Sequence, residues 1–405
     1  MKTNILNRLD KFTIISFITA LAVVNQAVSQ QTFDLGILYY GVLIFTLFTT
    51  FFQSTIKRIS MTMTILYIAC ILSILLNDIP TVYQPWMRFM FFFIVITIAS
   101  PFIQSDFYDK FRVNLFKYIH LLLIIIIIIS IPYIITRKQG IGGFSGFTNH
   151  SMLLAPISAV TIISLLYHLF IEKYNKIIII TLIILTFIAL LLAASRVSLA
   201  GAIAATIYFF YRIYSNNKRK FVTIAISIIT LMTLSYPLWG SYMEGIEKKN
   251  NASINKETGE INYTDSRDLI WDQRIREFKS SPIVGIGFGY APYIISYNER
   301  TGKITLKKTD TGVVEPGSSW LGALSMTGLF GFIALLVLWF KSLKNSWEVE
   351  KKDKLFGVYI GSTLIFWAVH MIAEGQIFAA GSFLFFMVWL SFGAAYSAYN
   401  IAYRR

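Results

Sequence analysis

The chain has 405 residues, 56% of them hydrophobic and 14% charged, with a mean hydropathy of +0.62 and a formal net charge of +15. Soluble domains run near a quarter charged, so a water-soluble globule is excluded. The excess of positive charge does not argue for nucleic acid, because Lys and Arg sit in short clusters between apolar runs, where they orient helices.

Those apolar runs are roughly 18–22 residues long, enough to cross a hydrocarbon core of roughly 30 Å. In chain order they predict helices near 12–28, 35–52, 60–77, 86–103, 115–135, 148–171, 176–194, 197–215, 220–239, 318–340, 355–372 and 376–400. The first run lacks an A-x-A-like exit and leads straight into further spans, so it reads as a span rather than a removable signal. Pro132 and Pro156 fall within or near helix ends and are expected to kink them. No internal repeat is evident at a solenoid period.

The turns alternate in charge. Lys2, Arg8 and Lys11, then Lys57 and Arg58, Lys110, Arg112 and Lys117, Lys173 and Lys176, Arg212 and Lys218 to Lys220, the Lys341–Lys354 segment, and Arg404 and Arg405 fall on one side. The opposite short turns carry little beyond Asp34, Asp78, Arg137 and Lys138. The positive-inside bias then places both termini in the cytoplasm. The expected fold is an all-α polytopic membrane protein of about twelve transmembrane helices. About nine lie in residues 1–239 and about three in 318–405, separated by a large extracytoplasmic loop, 240–317, that contains short helices.

Chemistry has few places to reside. Cys70, the single cysteine, lies inside an apolar run and allows no intramolecular disulfide. His120, His150, His168 and His370 are far apart and show no metal-ligand spacing, so neither a metal nor a cofactor is expected. Arg196 sits in a tight turn between two apolar runs, followed by the small residues Gly201, Ala204 and Ala205. It is either an arginine that snorkels to the interface or a guanidinium fork held for an anion, which suits phosphate better than lysine does.

The loop contains a second arginine cluster. Asp265 or Ser266 can cap a helix, and Arg267, Trp271 and Arg274 follow at i, i+4 and i+7, so they share a face. Such a face can bind a diphosphate and stack on a sugar or prenyl chain; the plainer reading is an amphipathic surface helix with Asp268, Asp272 and Arg276 in i,i+4 pairs. Gly285-Ile286-Gly287-Phe288-Gly289 resembles a nucleotide fingerprint, but no strand precedes it and no βαβ unit follows. A turn permitting close backbone approach is the better account.

Glu315-Pro316-Gly317-Ser318-Ser319-Trp320 opens the next helix, with Ser318 or Ser319 as cap and an N-terminus that attracts anions. Glu315 is either structural or a general base at the membrane surface. Asn149 and His150 open another helix on the same side, His150 as a cap residue or as a rival base. Arg88 and Glu374 are charges near span ends, expected to pair with one another or to snorkel.

Taken in order, Ser195-Arg196, Ser266-Arg267-x3-Trp271, Pro282 to Phe288, Ser318-Ser319-Trp320-Leu321 and Thr327-Gly328-Leu329-Phe330-Gly331 resemble the O-antigen ligase and polymerase superfamily of bacterial polysaccharide enzymes. The resemblance covers about half of the chain directly. It implies a GT-C-like glycosyltransferase of the bacterial inner membrane, working on the outer face without metal or nucleotide. Glycan would pass from an undecaprenyl diphosphate carrier to an acceptor hydroxyl, with Arg196 and Arg267 mapping onto the arginines that face the diphosphate and Arg274 beside them. Trp271, Asn149, Ser318, Ser319 and Trp320 become candidate substrate contacts, and Glu315 and His150 candidate bases.

Ligases typically carry a His-Asn pair where this chain reads Gly317-Ser318, which shifts the expectation toward a polymerase. The alternatives are a ligase and a non-catalytic flippase or transporter of lipid-linked glycan. The expected partners are a lipid-linked oligosaccharide, membrane lipid and a chain-length regulator, with no nucleic acid.

Overall fold

The computed structural model describes residues 11–54, 58–136, 143–171, 173–224, 226–227, 230, 266–297 and 304–403. The frame is helical: α1 (Lys11–Val28), α2 (Ile37–Gln53), α3 (Met61–Leu75), α4 (Pro85–Ala99), α5 (Asp106–Thr136), α6 (Ser151–Leu169), α7 (Lys176–Leu192) and α8 (Arg196–Ile213). A loop helix, α9 (Ser266–Ser280), precedes α10 (Ser319–Glu350), α11 (Lys354–Ala373) and α12 (Phe383–Tyr403). Among the described residues six helices are long and apolar enough to cross a membrane, and four more are apolar but shorter. This is the form of a helical membrane protein, in which each backbone polar group finds its partner within its own segment. The helix expected at 220–239 is described as helical over 218–224 and otherwise lies largely outside the described residues, as do Arg137, Lys138 and Asp265.

Three features depart from the expected pattern. The loop holds a two-stranded antiparallel hairpin, β3 (Tyr293–Tyr297) on β4 (Ile304–Lys308), in place of helix alone; the run Tyr-Ile-Ile-Ser-Tyr has the aromatic and β-branched content of a strand. A second, two-residue pair joins β1 (Arg58–Ile59) to β2 (Ile103–Gln104). Finally, α5 and α10 run well past the apolar stretches that announced them, into the basic clusters. Asp106 and Asp109 favour the start of α5. Arg112 there is buried and donates to the carbonyls of Thr97, Ile98 and Ile103, so it clamps the end of α4. At the foot of α10, Glu350 pairs with Arg212 at 2.6 Å.

α8 and α11 pack antiparallel. Ser198 near the head of α8 meets His370 near the tail of α11, while Tyr208, further down α8, lies against Gly361. The close approach depends on Gly201, where a Cβ would stand 2.9 Å from the Phe366 ring. Gly201 thus permits the close helix packing expected of a small residue after Arg196.

The two glycine motifs of the sequence meet each other. α10 is broken at Gly328 (φ 64°, ψ −166°), a conformation essentially reserved for glycine. The N–H groups of Leu329 and Phe330, which lose their helical acceptors at the break, donate to the carbonyls of Pro282 and Ile283 at 2.8 and 3.3 Å. In return Ile286 N donates to Ser325 O at 2.8 Å. A Cβ on Gly328 would lie 2.3 Å from Ile283 C, and one on Gly285 would lie 2.4 Å from Met326 C. Gly285 and its neighbours thus form a docking turn for a broken helix. Gly328→Ala is expected to lower stability by at least about 1–3 kcal/mol from the backbone conformation alone. Thermal unfolding in detergent measures this, and a wild-type melting point would contradict it.

Candidate active site

The site is assembled where the heads of α8, α9 and α10 meet the tail of α11. Ser195 caps α8: its hydroxyl accepts from Ser198 N at 3.3 Å and bonds Ser198 Oγ at 3.0 Å. Arg196 is therefore the first helical residue, exposed, beside the unpaired N–H groups that favour anions. Ser198 Oγ lies 3.1 Å from Nε2 of buried His370. Four residues on, Glu374 ends α11 and takes Arg267 Nη2 at 2.8 Å on Oε1. This chain of contacts brings the two arginines of the sequence motif to one end of the molecule.

The neighbouring polar side chains are absorbed by the fold. Ser318 caps α10, accepting from Leu321 N and donating to Met371 O. Ser319 Oγ donates to Glu374 O at 2.6 Å and accepts from Gln376 N and Ile377 N, while Trp320 Nε1 donates to Ala368 O. These three expected substrate contacts thus tie the head of α10 to the tail of α11. Trp271 Nε1 donates to Gly317 O at 3.2 Å, leaving the indole half-buried beside Arg267.

Arg274 departs from its expected role. It is fully buried, its Nη1 lies 2.5 Å from Glu277 Oε2, and its Nη2 donates to the carbonyls of Tyr293 and Glu315. Ser325 Oγ donates to the same Glu277 oxygen at 2.6 Å. Burial pushes the guanidinium below its usual value, opposed by Glu277. The i, i+7 spacing from Arg267 is sound, but the buried stripe of α9 is Ile270, Arg274 and Glu277. Arg274 therefore stitches α9, β3 and the Glu315 segment together instead of facing a diphosphate.

Glu315 is half-buried and its Oε2 accepts from Ile295 N at 3.1 Å, so the carboxylate leans on the hairpin two residues before the carbonyl that holds Trp271. Asn149 and His150 lie apart from this chain of contacts. The Asn149 side chain accepts from Gln30 N and donates to Gln26 O and Ser29 Oγ, clamping the loop onto the tail of α1. His150 follows as the exposed N-cap residue of α6, without a capping bond from its ring.

The expected Arg88–Glu374 pair does not form. Arg88 donates to Tyr83 O and Gly312 O, both at 2.8 Å, and Glu374 belongs to Arg267. Glu374 and His370 are the residues that reading the sequence undervalued. Their i, i+4 spacing at the end of an apolar span was the available signal.

The described residues thus form a helical membrane protein with two arginines near helix heads, Arg196 on α8 and Arg267 on α9, gathered at one end of the bundle. Residues 181–336 match the family described as O-antigen ligase, and this match supports placing the chain in the O-antigen ligase/polymerase superfamily of membrane glycosyltransferase-like enzymes. No match to a curated protein was found. The matched segment contains Arg196, Arg267, Trp271, Glu315 and both glycine motifs, and it ends before His370 and Glu374.

Proposed function

We propose that the protein polymerises a surface polysaccharide, as O-antigen, capsule or exopolysaccharide, on the outer face of the bacterial inner membrane. It transfers glycan from an undecaprenyl diphosphate-linked donor to a sugar hydroxyl of a lipid-linked acceptor unit. The observation that carries the reading is the run of contacts Ser195–Ser198–His370, with Glu374–Arg267 one turn further along α11, which gathers the heads of α8 and α9 at one end of the bundle.

In this reading the acceptor oxygen attacks the anomeric carbon with inversion. The bond from that carbon to the diphosphate oxygen breaks, and the electron pair leaves with the diphosphate. Arg196 and Arg267 stabilise the charge that develops there as fixed cations, so no metal ion is required. A base removes the acceptor proton, and Glu315 is the first candidate, with His150 as the rival.

The description of the matched family favours a second reading, in which the same donor site serves a ligase that passes glycan to a lipid A core or another acceptor. Deleting the gene and resolving the surface glycan by size separates the readings. Loss of polymerase leaves a single repeat unit on its acceptor, and that is the expected result. Accumulation of carrier-linked polymer would assign a ligase, and units trapped inside the cell would assign a flippase.

A further inference from the structure

We infer that Glu374 is a built-in stand-in for the anionic donor: it occupies Arg267 while the site is empty, yields it to the incoming diphosphate, and recaptures it as the diphosphate product leaves. The inference rests on the donor-site reading above and adds to it the group that controls access to one of the two arginines.

The two buried or half-buried Arg–Glu pairs of α9 are built for different purposes. Arg274 and Glu277 are sealed, with side chains 0% and 6% exposed, and Ser325 and two backbone carbonyls add further hydrogen bonds to the pair. Arg267 and Glu374 are open by comparison, 30% and 18% exposed, with Arg267 Nη2 donating to Glu374 Oε1. An anion arriving from solvent can reach the second pair and not the first.

Glu374 can also release its partner without unravelling the chain around it. Its own carbonyl accepts from Ser319 N at 3.0 Å and from Ser319 Oγ at 2.6 Å, so its backbone is anchored to the head of α10 independently of the carboxylate. Burial pushes the carboxyl upward, and Arg267 is the group that holds it down. The charged form is therefore comfortable only with a cation beside it, which is the property of a carboxylate that returns to its arginine once a competitor leaves.

Competition of this kind has a sign that a purely structural ion pair does not share. A ligand that must displace an internal anion binds more weakly than it would to the bare cation, and removing the internal anion strengthens it. A pair that only braces α9 against α11 gives weaker binding, or none, when its acid is removed.

The test uses the full-length protein in detergent and farnesyl diphosphate, a soluble prenyl diphosphate, titrated by calorimetry. Glu374→Gln and Glu374→Ala are expected to bind it more tightly than wild type, by on the order of 10-fold, a usual size for coupling between groups. Arg267→Ala should bind weakly whether or not Glu374 is present. Glu374→Asp keeps the charge on a shorter stem and should fall between wild type and Glu374→Gln, so it decides the matter if the other two fail to fold. Unchanged or weaker binding by folded Glu374 variants, with Arg267→Ala still weak, overturns the stand-in role and leaves the donor site intact. Wild-type binding by both Arg196→Ala and Arg267→Ala overturns the donor-site reading itself.

Discussion

Arg196→Ala and Arg267→Ala should each abolish polymer while the protein accumulates normally in the membrane. Each guanidinium supplies charge-assisted hydrogen bonds to the departing diphosphate, and such bonds are about twice as strong as neutral ones. Loss of one fixed donor to developing negative charge typically costs on the order of 10²–10³-fold in turnover. Arg196 heads α8 and is exposed, so its removal leaves the Ser195 cap and the α8–α11 contact through Ser198 and His370 in place. Removal of Arg267 strands Glu374 without a cation, yet the Glu374 backbone stays bonded to Ser319. Lysine at either position should restore only part of the activity, because it offers a point charge and no fork. Polymer length on gels and protein level on blots measure the outcome. Normal polymer from both alanine variants would remove the two arginines from the mechanism.

Glu315→Gln is expected to reduce turnover by at least about 100-fold with donor binding intact, because general-base help is typically worth about 10²–10⁴-fold. The substitution is well controlled structurally. The glutamine oxygen can accept from Ile295 N as the carboxylate does, and the bond from Arg274 goes to the Glu315 backbone carbonyl, which is unchanged. What is lost is the capacity to take a proton. His150→Ala should have the smaller effect, since His150 sits at the head of α6 beside the Asn149 clamp on α1. A purified assay across a range of pH decides the assignment. Near-normal rates for Glu315→Gln remove it, loss with His150→Asn alone transfers the role to the histidine, and indifference to both points to a phosphate oxygen of the donor.

The sequence by itself determined the class of protein, the positions of most helices and the order of motifs that resembles the superfamily. It could do so because hydropathy over a bilayer's thickness and the chemistry of glycine are local properties. It also identified Gly285–Gly289 as a turn for close backbone approach, although not that the approach is to a helix broken at Gly328. Only the tertiary structure decided how the charges are shared out. Arg267 and Arg274 are seven residues apart on one helix, yet one opens to solvent on Glu374 and the other is sealed on Glu277. Spacing says which residues share a face of a helix, but what that face packs against depends on contacts made more than a hundred residues away, as from Arg267 to Glu374. Ser318, Ser319, Trp320 and Asn149 looked available for substrate for the same reason: their partners on α11 and α1 are remote in sequence, and a buried polar group without a partner is costly enough that the fold provides one.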